Sequence, residues 1–235
     1  MNKNAPAKPN TNRIMPGIQC FAWNGNGSRI ALCPTNNEIW IFDSANSPDI
    51  TKWKQIACLK EHFNIISALD WHPQTNLLLS CSVDRGTIVW EQNAEGKFLP
   101  QMGVNQEKMA NLDGVWNTKG DKYVVAASSG NVYVGRYYAD NNFWVAHGVT
   151  KKPLHKASVV SVRFDPQSGR VVASASLDGS VCITSAYHED LDKDSTAGPF
   201  GNVSSFGESL LSISSPTWIN GLCFSHNSNV LAYVS

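Results

Sequence analysis

One stretch of the chain holds a histidine, two serines, an aspartate and a tryptophan at spacings that suit a hydrogen-bonded set. His62 precedes an apolar run, Ser80 and Ser82 lie in the next run, and Asp84 and Trp90 follow. A carboxylate accepts a hydrogen bond from histidine, histidine accepts one from a hydroxyl, and the indole N–H completes the set. Either serine suits its place, and Ser82 is the predicted member. We predict a structural role for this set, not a catalytic one.

A weaker copy of the set occurs further along the chain. It keeps His155 and Asp178, but Thr184 stands where the first copy has Trp90. One earlier block has Phe42 at the tryptophan position, and one intermediate block lacks both the aspartate and the tryptophan. The network is therefore predicted to be mostly eroded outside the stretch from His62 to Trp90.

Other residue types that carry chemistry occur without the spacing that chemistry requires. The six histidines form no HxH or HExxH motif, and the six cysteines form no CxxC pair. Hydrolase, P-loop and dinucleotide-binding motifs are absent from the sequence. We therefore predict no catalytic residue, no cofactor, no metal site and no enzyme activity, with the cysteines as buried reduced thiols.

A repeat of apolar strands positions these residues. Five strands end in an aromatic residue, and the spacings between these residues are 48, 45, 48 and 60 residues. Each such strand is followed by a polar turn and a further apolar strand. A strand-only repeat of about 40–50 residues is typical of β-propeller blades. The five aromatic residues are Trp23, Trp71, Trp116, Phe164 and Phe224.

The repeat divides the chain into a tail and a partial propeller. Residues 1–13 are polar and are predicted to be a disordered tail, and residues 14–235 are predicted to be the propeller. Residues 188–205 are predicted to be an inserted surface loop. About four and a half blades leave open sheet edges, which predicts either a fragment of a longer protein, the favoured interpretation, or a break closed by self-association. The predicted blades cover approximately residues 14–59, 60–104, 105–150, 151–216 and 217–235.

Composition narrows the possible partners. Lys plus Arg and Asp plus Glu both total 19, so the formal net charge is zero. Nucleic-acid binding needs a basic face, and a neutral chain argues against such a partner. No run of 18 apolar residues occurs, so no membrane span is predicted.

The stretch from Ser80 to Glu91 (SCSVDRGTIVWE) resembles a WD repeat, and a closer resemblance extends over residues 14–235. The chain resembles the WD-repeat subunit (subunit 1) of the actin-related protein 2/3 complex, a family of seven-bladed propellers. The Ser-Ala-Tyr segment and the insertion after it are not general WD-repeat features. The passages that carry the resemblance are 18–23 (IQCFAW), 59–62 (LKEH), 69–73 (LDWHP), 151–153 (KKP), 185–187 (SAY) and 199–201 (PFG).

This resemblance implies a non-catalytic scaffold that supports nucleation of branched actin filaments. It implies a cytoplasmic location at the actin cytoskeleton and other subunits of the complex as direct partners. Actin filaments and nucleation-promoting factors are implied as indirect partners. The alternative is a general WD-repeat adaptor in another multiprotein assembly.

Five residues are candidates for a partner interface. Lys151 and Lys152 form either a docking point for an acidic partner or a solvated turn. Trp144 is either an interface anchor or a core residue. Phe200 and Phe206, in a loop rich in glycine and serine, either pin that loop to the propeller or dock a partner.

Overall fold

A computed structural model describes residues 14, 17–193, 200, 201, 203–226 and 230–235. Their regular structure is eighteen β-strands with one 3₁₀ helix (Ile50–Lys52) and one α-helical turn, α1 (Glu189–Asp192). The predicted disordered tail lies outside the described residues. The strands are β1 (Cys20–Trp23), β2 (Arg29–Cys33), β3 (Ile39–Asp43), β4 (Lys54–Leu59), β5 (Ile66–Trp71), β6 (Leu78–Ser82), β7 (Thr87–Gln92), β8 (Phe98–Val104), β9 (Asn111–Trp116), β10 (Lys122–Ala127), β11 (Val132–Tyr138), β12 (Phe143–Gly148), β13 (Val159–Phe164), β14 (Val171–Ser176), β15 (Ser180–Ser185), β16 (Ser209–Ser214), β17 (Gly221–Phe224) and β18 (Leu231–Val234).

The strands form consecutive antiparallel groups in chain order. β1–β4, β5–β8, β9–β12 and β13–β16 are four-stranded groups, and β17 pairs with β18. The first strand of each group contacts the first strand of the next group. This arrangement places the first strands on the inside, as in a propeller, and the prediction of an all-β fold is confirmed.

Burial follows the position of each strand in its group. Every residue of the second strands β6, β10 and β14 is buried, because these strands lie between two neighbours and are covered on both faces. The fourth strand is more exposed, and most residues of β4 and β8 face solvent.

Apolar layers between successive groups form the core. One layer joins the first two groups and includes Ile41, Ile66 and Trp90, and a second joins the next two around Trp116 and Tyr123. Two further layers connect the third group to the fourth and the fourth to the β17–β18 pair. Each group is thus stabilised mainly by its neighbours, as in other repeat folds.

The second and third groups are joined at their outer strands, which the repeat did not predict. β8 and β12 pair in parallel through Trp144 with Gly103 and Val145 with Val104, making one eight-stranded sheet. The buried Tyr123 ring lies against Gly135, where a Cβ atom would stand only 2.1 Å from it. Because glycine has no side chain, this position leaves room for the Tyr123 ring beneath the outer strands.

The beginning of the insertion packs onto the third group, which differs from the surface loop predicted over 188–205. Asp192, in α1, is completely buried and contacts Lys122 of β10. On the outer side of the same segment, Asp190 pairs with Arg136 of β11. Residues 194–199 and 202 lie outside the described residues. The segment before them is held by charge pairing that its polar composition alone did not reveal.

The cysteines are free thiols, as predicted, but their burial varies with strand position. Cys33, Cys81 and Cys182 are buried in second and third strands, and Cys20 is half-buried. Cys58 on β4 and Cys223 on β17 are exposed. The apolar runs therefore overestimated burial on outer strands and on the last hairpin.

Candidate functional site

The hydrogen-bonded set in the second group forms a continuous chain across the blade. His62 Nδ1 lies 3.0 Å from Asp84 Oδ2, and His62 Nε2 lies 2.8 Å from Ser80 Oγ. The Trp90 indole donates to the same Ser80 oxygen at 2.9 Å. With the Nδ1 proton on His62, every link has one donor and one acceptor. The set ties the loop before β5 to β6, to β7 and to the turn between them.

Ser80 fills the serine position, so the prediction of Ser82 is wrong. Ser82 Oγ shares its one proton between the carbonyls of Ile65 at 2.9 Å and Asn64 at 3.1 Å, and it accepts from the Asp84 backbone N–H. Both serines are completely buried on the same face of β6. Ser80 pairs with Leu69 in the middle of the strand, whereas Ser82 pairs with Ile66 at its end. Position along the strand, not the face, decides which hydroxyl reaches His62.

Asp84 is held as a carboxylate by several donors. Burial raises the pKa of this carboxyl, but hydrogen bonds from His62 and from the backbone N–H groups of Phe63 and Gly86 outweigh burial and lower it. The Phe63 N–H lies 2.8 Å from Oδ2, and the Gly86 N–H lies 2.6 Å from Oδ1. Both carboxylate oxygens are therefore used for fixing the two loops.

The fourth group contains a modified version of this set. His155 Nε2 lies 2.8 Å from Ser174 Oγ, and His155 Nδ1 lies 2.7 Å from Ser180 Oγ. Ser180 in turn donates to Asp178, so a hydroxyl stands between the histidine and the aspartate. Burial opposes ionisation of Asp178, but hydrogen bonds from Ser180 and from the Lys156 N–H prevail and lower its pKa to about 2. Thr184, at the tryptophan position, is completely buried.

In the third group, Glu107 ties the loop before the first strand to the turn between the second and third strands. The sequence pattern did not predict this role. Glu107 accepts hydrogen bonds from Ser129 Oγ at 2.6 Å and from Asn131 Nδ2 at 3.3 Å. Its other oxygen accepts from the backbone N–H groups of Lys108 and Met109. The acid comes from the loop before the first strand instead of the turn after the second strand. An aspartate pattern at the turn therefore does not reveal Glu107.

These sets lie at one end of the molecule, here called the loop face. The loop face consists of the segments that lead into each first strand and of the turns between second and third strands. Within groups, Val83 N–H donates to the Ile65 carbonyl at 3.0 Å, and Leu177 N–H donates to that of Ser158 at 3.0 Å. Its segments are 34–38, 60–65, 83–86, 105–110, 128–131, 149–158, 177–179 and 215–220.

Hydrogen bonds between groups make the loop face continuous. Asn37 Nδ2 donates to the His62 carbonyl at 2.7 Å, and Asn111 Nδ2 donates to the Arg85 carbonyl at 2.9 Å. The His155 N–H donates to the Gly130 carbonyl at 3.1 Å. The loops are consequently a rigid platform and not independent arms.

The loop face presents apolar and basic side chains. Phe63 is 91% exposed and Trp218 is 69% exposed, values that are unusual for such large apolar groups. Met109, Ile65 and Val83 are also exposed. The carboxylates of Asp84 and Asp178 accept hydrogen bonds within the molecule, whereas the basic side chains are exposed to solvent. The acidic Glu61 is also exposed. The exposed basic residues are Lys60, which pairs with Glu38, and Arg85, Lys108, Lys151, Lys152 and Lys156.

Trp144, an interface candidate in the sequence, is a core residue. It is 3% exposed and packs edge-on against Trp116 at a ring-centroid distance of 5.2 Å. Its indole N–H donates to Gln101 Oε1 at 2.9 Å. The core alternative is correct for Trp144, because neighbouring strands bring an aromatic cluster over it.

The other interface candidates are divided between surface and core. Lys151 and Lys152 are exposed on the loop face. Phe206 packs on the third core layer and stacks against His188 at a centroid distance of 4.8 Å. Phe200 packs on the fourth core layer. The two phenylalanines therefore serve as attachments of the insertion to the propeller.

Neither a metal-ligand cluster nor a membrane-spanning helix occurs in the described part of the chain. No three His, Cys, Asp or Glu side chains gather there in a way that would hold a metal ion. No helix among the described residues has the length and apolar character needed to cross a membrane.

Comparison with known proteins gives matches to one repeat and to one group of relatives. The family model "WD domain, G-beta repeat" matches residues 53–91 and 149–185, the stretches that contain the two histidine sets. The chain is 32% identical over 225 residues to actin-related protein 2/3 complex subunit 1A of Arabidopsis thaliana, covering 94% of this chain and 57% of the relative.

Other relatives carry related names. Actin-related protein 2/3 complex subunit 1A-B of Xenopus laevis is 28% identical, with 94% of this chain and 59% of the relative covered. Subunit 1 of Schizosaccharomyces pombe is 24% identical, with 90% and 54% covered. The chain thus spans less than two thirds of the length of these relatives. The predicted resemblance is confirmed: this chain has a WD-repeat β-propeller fold and is similar over nearly its whole length to proteins named as subunit 1 of the actin-related protein 2/3 complex.

Proposed function

We propose that this protein is a non-catalytic subunit of the actin-related protein 2/3 complex and that its loop face holds other protein subunits. It acts in the cytoplasm at the actin cytoskeleton as a scaffold for nucleation of branched filaments. Nucleation-promoting factors and actin filaments are reached through the assembled complex. The similarity to subunit 1 proteins over 94% of the chain supports this assignment.

The use of the histidine sets supports a non-catalytic role. A nucleophilic serine must reach its substrate, but Ser80 is completely buried and its hydroxyl is bound to both His62 and Trp90. Asp84 is likewise committed to loop N–H groups. The residue types of a hydrolase triad are therefore used here to fix loops.

The observation that carries the interaction role is the exposure of large apolar groups on a rigid platform. Phe63 and Trp218 lie on loops that hydrogen bonds hold in place. Aromatic anchors of this kind dominate protein interfaces, and truncating one typically costs about 2 kcal/mol or more. Lys151, Lys152 and Lys156 supply positive charge on the same face. The loop face therefore suits partners with apolar anchors and acidic flanks.

Affinity isolation from cells tests the proposal. We expect two actin-related proteins and the smaller subunits to co-purify with the tagged protein. Phe63→Ser combined with Trp218→Ser should reduce their recovery at least several-fold. Ile56→Ser combined with Leu99→Ser is the matched control, because Ile56 is 44% exposed and Leu99 is 42% exposed, both on outer strands away from the loop face.

Equal recovery of all subunits with both double variants would show that the loop face is not the interface. Recovery of other proteins without any actin-related protein would favour the general WD-repeat adaptor instead.

A further inference from the structure

A groove lies at the end of the molecule opposite the loop face, between the second and third strand groups. Its volume is about 430 Å³. Glu91 and Gln101 of the second group line one side, and Asp121 and Tyr137 of the third group line the other. Trp144 forms its base. Such concave sites with few polar groups are suited to binding a specific side chain.

The insertion completes this groove. Leu191, on α1, contributes to the wall, and it reaches this place because Asp192 is buried against Lys122 with an Nζ–Oδ2 distance of 2.6 Å. Lys122 also donates to the Ala186 carbonyl at 3.1 Å. Segments from three parts of the sequence, brought together only by folding, therefore build the groove.

Two carboxylates give the groove a negative character. Gln101 Nε2 donates to Glu91 Oε2 at 3.1 Å, and Asn117 Nδ2 donates to Asp121 Oδ1 at 2.6 Å. These hydrogen bonds from side-chain amides orient the two carboxylates. Because the amides are neutral, the carboxylates keep their negative charge. Neither carboxylate belongs to any ion pair formed among the described residues. The groove therefore offers oriented negative charge to a guest.

Aromatic surface lies beside this charge. Tyr137 is 37% exposed, and its ring centroid lies 5.5 Å from that of Trp144. The Tyr137 hydroxyl donates to Asn142, which fixes the ring in place. Trp144 is held by its bond to Gln101, the same amide that orients Glu91. The aromatic wall and one carboxylate are thus positioned through one shared side chain.

We propose that this groove binds an arginine side chain presented by an extended segment of a protein partner. A planar guanidinium both pairs with a carboxylate through two N–H groups and stacks on an aromatic ring, which an ammonium does less well. Glu91 and Asp121 supply the charge, Tyr137 supplies the ring, and Leu191 receives an apolar neighbour of the arginine. The groove and the loop face are at opposite ends, so this inference does not depend on the proposed function.

A pair of short peptides tests the inference on the 235-residue chain. The probe is acetyl-Gly-Leu-Arg-Leu-Gly-amide, and its matched control carries citrulline, which is neutral and nearly the same shape. Binding is followed by the backbone and indole N–H resonances in two-dimensional NMR during titration. We expect the arginine peptide to shift the Trp144 indole and the Gly120 and Tyr137 amides, with affinity at least about tenfold above that of the citrulline peptide.

Variants separate the groove from general charge attraction. Glu91→Gln should weaken binding of the arginine peptide at least several-fold, and Asp121→Asn should act in the same direction. Glu95→Gln, in the exposed turn after β7, is the charge-matched control and should leave binding unchanged.

Lack of any shift at millimolar arginine peptide would overturn the inference. Equal affinity for the citrulline peptide, or equal weakening by Glu95→Gln, would also overturn it. Tighter binding of a lysine peptide than of the arginine peptide would contradict the choice of arginine.

Discussion

At the scale of single residues, buried polar side chains hold this fold at a few fixed points. His62, Ser80 and Trp90 form hydrogen bonds of 2.8–2.9 Å within a buried layer, where each unmade bond costs about 1–3 kcal/mol. The fourth group forms an equivalent hydrogen-bonded set, in which Ser180 lies between His155 and Asp178. The residue types vary, but in the second, third and fourth groups the loop before the first strand is tied to the turn between the second and third strands.

The first prediction concerns Asp84 and pH. Its pKa is lowered in the folded state, so its stabilising contribution is fully present above its unfolded value of about 3.9 and is lost as the pH falls below it. Asp84→Asn should lower the free energy of unfolding by about 1–3 kcal/mol at pH 7, with a smaller difference near pH 3. Urea titrations at several pH values measure this. Asp140→Asn, at an exposed turn position, is the control. A difference from wild type that stays constant between pH 7 and pH 3 would refute the explanation.

At the scale of elements, the insertion shows how a polar segment is held on a propeller. The Lys122–Asp192 pair is completely buried, and Asp192 also accepts the His188 N–H at 2.8 Å. Burial lowers the pKa of Lys122, and Asp192 opposes that shift. Burial also lowers the pKa of His188 to about 4, with help from the positive charges of Arg136 and Lys122. The segment is therefore attached by the buried Lys122–Asp192 pair, by the outer Arg136–Asp190 pair and by the packing of a neutral imidazole on Phe206.

Two variants distinguish the contribution of the Lys122–Asp192 ion pair to stability from the contribution of side-chain packing. Asp192→Asn leaves the Lys122 ammonium without its partner, and it should destabilise the protein by about 3–5 kcal/mol. Lys122→Met combined with Asp192→Leu should cost much less, because neither buried charge remains. Urea unfolding measures both variants, and amide exchange over residues 186–193 shows whether the segment detaches. A double variant as unstable as the single one would show that the charges are not what holds the segment.

At the scale of the whole molecule, the two ends of the series of strand groups carry exposed apolar surface. Phe21 of β1 is 59% exposed and Trp23 is 40% exposed, on the face turned away from the second group. At the other end, Val234 of β18 is 67% exposed. Between these ends every group is covered by its neighbours. Among the described residues, no neighbouring strand group covers the apolar faces at these two ends.

The third prediction follows from this surface. The 235-residue polypeptide prepared alone should self-associate, since apolar faces and unpaired strand edges attract other chains. Phe21→Lys combined with Val234→Lys should reduce the association, whereas Met102→Lys, on the exposed outer strand β8, should not. Sedimentation velocity over a range of concentrations measures the effect. A monomer at all concentrations would contradict the prediction.

The sequence alone determined the strands, because an apolar repeat with period two and polar turns depends only on local residue order. β6, β10 and β14 were located in this way, and so was the set around His62. Tertiary structure decided three further points. Ser80 and Ser82 share a face, so only the register with β5 selects Ser80. Trp144 became a core residue because Trp116 and Tyr123 arrive from other strands. Leu191 completes the groove beside Glu91 because Asp192 meets Lys122 across 70 residues of sequence, a contact that no local pattern records.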